Sequence, residues 1–113
     1  SENSFLYVFE INKLPIGQIR FDIIQREFTI DYSIDKNYRG QGFGEIILKK
    51  GIERILKEKE THRMNYLVCE VKKDNIGSLK SFQDLVFYKS EKNIYNNVEF
   101  IKFRKKIHEN NNS

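Results

Sequence analysis

The segment Tyr38-Arg39-Gly40-Gln41-Gly42-Phe43-Gly44-Glu45 is where residue types and spacing first point to chemistry. Alternating glycines leave main-chain N–H groups unshielded, and they fall where an extended pattern gives way to a helical one. The first turn of a helix carries unpaired N–H groups and a partial positive charge, so phosphate is the natural ligand of such a loop. A tight strand-to-helix turn holding nothing is the plain alternative. Two familiar phosphate loops do not fit. A P-loop ends in Gly-Lys followed by Ser or Thr, whereas Gly44 is followed by Glu45 and Ile46. A dinucleotide fingerprint needs G-x-G-x-x-G inside a parallel βαβ unit, whereas the spacing here is G-x-G-x-G after consecutive antiparallel hairpins.

Those hairpins are read from the residues before the loop. Residues 5–11 are aromatic and branched, break at Asn12, Lys13, Leu14 and Pro15, and resume over residues 16–24. Phe28, Ile30, Tyr32 and Ile34 then alternate with Thr29, Asp31, Ser33 and Asp35, the period of a half-buried strand. After the polar connector 36–39 and the glycines, Ile47, Leu48, Ile52, Ile55 and Leu56 recur at helical spacing. Residues 66–71 predict a short strand, 78–87 a second amphipathic helix, and 99–103 a last strand after a polar stretch. There is no internal repeat.

With 113 residues the chain suffices for one domain and one core, and its six Tyr and nine Phe supply the apolar bulk. The expected limits are an extension at 1–4, the domain at 5–107 and a disordered tail at 108–113. No apolar run approaches the roughly 18 residues of a membrane span. A lone Cys69 and the lack of an apolar leader make a reducing cytoplasm the expected compartment. The net charge of +4 is spread among interleaved acidic residues, with one dense run at Lys102, Arg104, Lys105 and Lys106, so nucleic acid is not the expected partner. His62 and His108 have no ligand-like spacing to Cys69, so no metal site is expected, and Cys69 reads as a buried structural thiol.

Arg39, Gly42 and Gly44 meet the pattern Arg or Gln, x, x, Gly, x, Gly or Ala. In this context the chain resembles the GNAT superfamily of acyl-CoA-dependent N-acyltransferases over about residues 5–103. The resemblance implies an α+β (α/β) fold with a mixed, largely antiparallel central sheet and two main helices. It also implies that the amides of Gly40, Gln41, Gly42, Phe43, Gly44 and Glu45 hold the pyrophosphate of acetyl-CoA. Tyr32, Ser33 and Ile34 would pair through their backbone with the pantetheine arm like an added strand. Glu70-Val71-Lys72-Lys73-Asp74-Asn75, followed by Ser78, Leu79, Phe82 and Val86-Phe87, is similar to the family's strand, Asn, helix and Gly-Phe ending. That register places Asn75 against the pantetheine, with Ser78 and Phe82 beside the cofactor; a simple helix cap is the other use of Asn75. A protonated amine cannot attack a thioester, so a base is needed. Glu70, five residues before Asn75, stands where some members carry that carboxylate, and Asp31 on the neighbouring strand is the second candidate.

Two departures matter. Many members place a Tyr seven residues after the Asn to protonate the departing thiolate, and here that position is Phe82. Water or Tyr88 are the remaining donors considered. The family's first strand and two helices are also missing, and the chain starts at Ser1, as a processed or excised segment would. An uncovered strand at 5–11 is prone to pairing, so a second copy of the chain or the rest of a longer polypeptide is expected to cover it. The expected activity is direct acetyl transfer from acetyl-CoA to a primary amine of a small molecule, an amino sugar being the acceptor the resemblance suggests, with a catalytically weak CoA-binding module as the alternative.

Overall fold

The computed structural model describes residues 3–108. Six strands form one mixed sheet: β1 (Ser4–Ile11), β2 (Leu14–Ile24), β3 (Glu27–Ile34), β4 (Tyr66–Lys72), β5 (Tyr88–Tyr95) and β6 (Val98–Lys106), in the order β1-β2-β3-β4-β6-β5. Strands β1 to β3 are antiparallel hairpins, β3 and β4 are parallel, and β4, β6 and β5 are again antiparallel. Helix α1 (Phe43–Ile55) makes the crossover that the parallel pair requires, and α2 (Ile76–Asp84) follows β4. The outer hairpins turn on left-handed pairs, Asn12 and Lys13 (φ 51° and 68°) and Asn96 and Asn97 (φ 50° and 64°), the turn geometry that matches strand twist.

The expected fold class is the observed one, and three local readings are corrected. Residues 88–95 are a strand, not a polar connection: every position except the half-buried Asn93 is exposed, which leaves no apolar alternation to read. In α1 the buried stripe is Ile47, Leu48, Gly51 and Ile55, while Ile52 is half-buried and Leu56, past the helix end, is exposed. Gly51 belongs in that stripe because a Cβ there would lie 2.7 Å from Ile19 Cγ2, so the helix rests directly on β2. The strand expected from residue 5 begins at Ser4, and of the expected tail only His108 falls among the described residues, where its Nε2 lies 3.1 Å from the Thr61 carbonyl oxygen.

The third correction is at the end of α2, which stops at Asp84 and not at Phe87. Val86 is left-handed (φ 66°), the position where helices usually carry glycine, and its amide donates to Gln83 O while that of Phe87 reaches back to Phe82 O at 2.9 Å. A β-branched residue there costs about 1–2 kcal/mol, against about 0.5–1 kcal/mol for the extra unfolded-state freedom of glycine. Val86→Gly is therefore expected to raise the melting temperature by about 2–4 °C, measured by thermal denaturation. The core is strongly aromatic. Phe82 is fully buried, stacks on Phe103 (centroids 5.4 Å apart) and meets Phe87 and Tyr32 edge-on. Among the described residues no helix is long and apolar enough to cross a membrane.

Candidate active site

Strands β3 and β4 pair only at Glu27–Tyr66, Phe28–Leu67 and Thr29–Val68, although β3 continues to Ile34 and β4 to Lys72. Beyond Thr29 and Val68 they part, each still held on its outer side, β3 by β2 and β4 by β6. The joined end is pinned across strands: Arg104 of β6 donates to Glu27 of β3 at 2.5 Å and lies 4.3 Å over the Tyr66 ring of β4. The inner edges of 30–34 and 69–72 thus face each other without pairing to one another, an arrangement that accepts an extended ligand as an extra strand. The cleft has a volume of about 920 Å³ and runs from Ile30 and Cys69 to Gly40, Gly42 and the first turn of α1.

At the α1 end the main chain is exposed by glycines that need their conformation. Gly40 and Gly42 have φ of 76° and 84°, and a Cβ built on either meets nothing within 4 Å. Gly42 is also the N-cap and makes no side-chain cap bond. Among the described residues, no hydrogen bond outside the helix ladder takes an amide of Gly40, Gln41, Gly42, Phe43, Gly44 or Glu45. These donors are consequently available to an anion at the positive end of a 13-residue helix. Arg39 Nε donates to Ile34 O at 3.0 Å, tying the end of β3 to the loop, and Gln41 Nε2 donates back to Asn37 O at 3.3 Å. The side chains of Glu45 and Asp84 both line the cleft, and the hydrogen bond that protonated Glu45 gives to Asp84 is the main cause that pushes the Glu45 carboxyl upward.

Helix α2 forms the adjoining wall. Asn75 is its N-cap: Oδ1 accepts from Ser78 N at 3.2 Å, and Nδ2 has no partner among the described residues. The cap and a contact to a ligand in the cleft therefore use different atoms of one amide. Ser78 Oγ lies 2.5 Å from Tyr32 Oη, joining α2 to β3. Asn75, Ser78, Tyr32, Ser33 and Ile34 all line the cleft. Phe82 does not: buried between Phe103, Phe87 and Tyr32, it belongs to the core and has no surface on the cleft, which corrects its expected place beside the cofactor.

Near the joined end, Asp31 and Glu70 both line the cleft from opposite strands. Asp31 is well exposed, and among the described residues Arg20 holds it at 3.5 Å. Glu70 is more firmly placed: Asn93 Nδ2 donates to it at 3.0 Å and Tyr95 Oη lies 3.0 Å from each carboxylate oxygen. The hydrogen bond to Glu70 in turn pushes the Tyr95 phenol up. Asn93 and Tyr95 were not foreseen from the sequence, since they sit on the strand that showed no alternation and lie 23 and 25 residues from Glu70. Cys69, next to Glu70 on β4, is buried, and burial together with the charges of Asp31 and Glu70 pushes its thiol up to about 12. A thiol so reluctant to ionise is a poor nucleophile at neutral pH.

Residues 1–87 match the model of the Acetyltransferase (GNAT) family. The chain belongs to that family. Solved structures of the same fold include the ribosomal-protein-S18-alanine N-acetyltransferase from Escherichia coli, 17% identical with a TM-score of 0.80 over 100% of this chain and 76% of that one. A ribosomal L7/L12 alpha-N-protein acetyltransferase in complex with coenzyme A is 15% identical, with a TM-score of 0.77 over 93% of this chain and 63% of that one. A spermidine N-acetyltransferase variant from Vibrio cholerae is 13% identical, with a TM-score of 0.80 over 93% of this chain and 66% of that one. Among curated proteins none matches the chain. This GNAT chain is accordingly an enzyme of the acetyltransferase class, with the family's mixed sheet split between β3 and β4.

Proposed function

We propose that this GNAT chain transfers an acetyl group from acetyl-CoA directly to the primary amine of a small molecule, with an amino sugar as the favoured acceptor. The observation that carries the reading is the continuity of two unmet binding surfaces: unpaired strand edges in the β3–β4 split open onto the bare amides before and within the first turn of α1. A thin, extended thiol arm ending in a diphosphate suits both. The pantetheine amides would pair with residues 32–34, the amide of Asn75 would add a contact from α2, and the diphosphate would rest on the amides of Gly40 to Glu45.

In this reading Glu70, fixed by Asn93 and Tyr95, takes the proton from the ammonium of the acceptor. The neutral amine then attacks the thioester carbonyl, the C–N bond forms, the nitrogen sheds its second proton to solvent, the C–S bond breaks, and CoA leaves as a thiolate that must gain a proton. The high thiol pKa of Cys69 favours this direct route over an acyl-enzyme. The face beyond Glu70 carries Lys72, Asn93, Tyr95 and Lys102, donors and acceptors that suit a polyhydroxylated acceptor. Phe82, with no proton to give, favours the alternative of a CoA-binding module with weak catalysis. Calorimetry with acetyl-CoA, followed by thiol release across a panel of amino sugars and polyamines, separates the two. Binding with thiol release fastest for an amino sugar is the expected result; binding without release across the panel selects the module.

A further inference from the structure

We propose that Tyr32 is the acid that protonates the departing CoA thiolate, in the place of the tyrosine that Phe82 replaces. The proposal rests on the acetyl-CoA reading above and adds a catalytic residue to it. Four phenols lie near enough to be weighed. Tyr88 is on β5, opposite Arg104 and separated from the split by β6 and β4. Tyr38 packs edge-on to Phe43 at the phosphate end of the cleft. Tyr95 points its hydroxyl at both oxygens of Glu70, which commits its proton to the base. Tyr32 alone among these lines the cleft within the split, one residue beyond Asp31 and on the strand whose inner edge would receive the pantetheine arm.

Its ring is held from three sides. It meets the buried Phe82 edge-on with centroids 6.2 Å apart, and its Cε2 lies 3.6 Å from where a Cβ on Gly44 would be. On the third side its Oη is 2.5 Å from Ser78 Oγ. Phe82 thus ends under the ring of Tyr32, and the hydroxyl missing from α2 is supplied from β3 at the adjoining position of the same wall. Burial is the chief cause that raises the Tyr32 phenol, so it carries its proton at neutral pH. In the step, the C–S bonding pair passes to sulfur, sulfur takes the proton of Tyr32 Oη, and the phenolate is held by the Ser78 hydroxyl until solvent returns a proton. Glu70 releases the ammonium proton to solvent and the nitrogen sheds a second proton once the C–N bond has formed; with one proton returned from solvent to Tyr32, each turnover releases one proton net.

The test compares the full chain with Tyr32→Phe, which keeps the ring on Phe82 and removes only the hydroxyl. Acetyl-CoA affinity by calorimetry, kcat and KM by thiol release, and the melting temperature are measured for both. Expected are a fall in kcat of about 10- to 100-fold, at or below the lower limit for a positioned acid because a thiolate is a good leaving group, with affinity and KM for acetyl-CoA within about twofold. A merely structural role would lower the melting temperature or the affinity in step with the rate. An unchanged kcat, or a loss matched by lost affinity, overturns the assignment while leaving the acetyl-CoA reading standing. Failure of the parent chain to bind acetyl-CoA at all overturns both.

Discussion

Replacing Gly42 by valine is expected to weaken acetyl-CoA binding by about 100-fold or more, equivalent to about 2.8 kcal/mol, while leaving the sheet and core folded. Two effects act together. At φ 84° a β-branched residue is strained by about 1–2 kcal/mol, and the loop can relieve that only by moving the amides away from the geometry that holds an anion. A side chain at this point also projects into open space, with nothing within 4 Å, which is the space the diphosphate would occupy. Since no core residue touches that volume, the cost to folding is confined to the loop strain. Calorimetry with acetyl-CoA and a melting curve check both halves. Unchanged affinity would remove the diphosphate from the glycine loop.

Glu70→Gln carries the second large effect. The amide keeps the shape of the side chain and remains within reach of Asn93 and Tyr95, so cofactor affinity is expected to stay within about twofold. The rate should fall by about 10²- to 10⁴-fold near neutral pH, the usual contribution of a positioned base. The sign of the pH dependence follows from the acceptor. At low pH the amine arrives protonated and the missing base is felt in full; as pH rises toward the amine's own pKa, more of it arrives neutral and the deficit shrinks. A kcat/KM profile from pH 6 to 9 for parent and variant reads this directly. If the two profiles coincide, Asp31, facing the same cleft and paired with Arg20, becomes the base to test.

How much of this was legible before the structure depended on whether a residue's partner was near in sequence. The glycine loop and α1 could be read because the turn chemistry and the helical period are local. The three antiparallel strands could be read because Phe28 to Ile34 bury alternate residues on one face. β5 could not, because an exposed edge strand takes its stability from backbone pairing with β6 and leaves no burial pattern in its side chains. The firm placement of Glu70 was hidden for the same reason, since its two partners lie on that strand. The end of α2 was misjudged because its apolar spacing continues to Phe87, while the chain turns at a left-handed Val86 whose residue type gives no such signal. Phe82 shows the limit of reasoning by register: its position suggested the cofactor, but a phenylalanine there is drawn into the aromatic core and hands the cleft wall to Tyr32.

The central claim is that main-chain amides at the start of α1 grip a diphosphate. Amide resonances of a nitrogen-15-labelled chain, followed during titration with CoA and, separately, with pantetheine lacking phosphate, test it most directly. Large shifts of Gly40, Gly42, Gly44 and Glu45 with CoA, absent with pantetheine while residues 32–34 move with both, are the predicted result. CoA binding that leaves the four loop resonances where they were would contradict it.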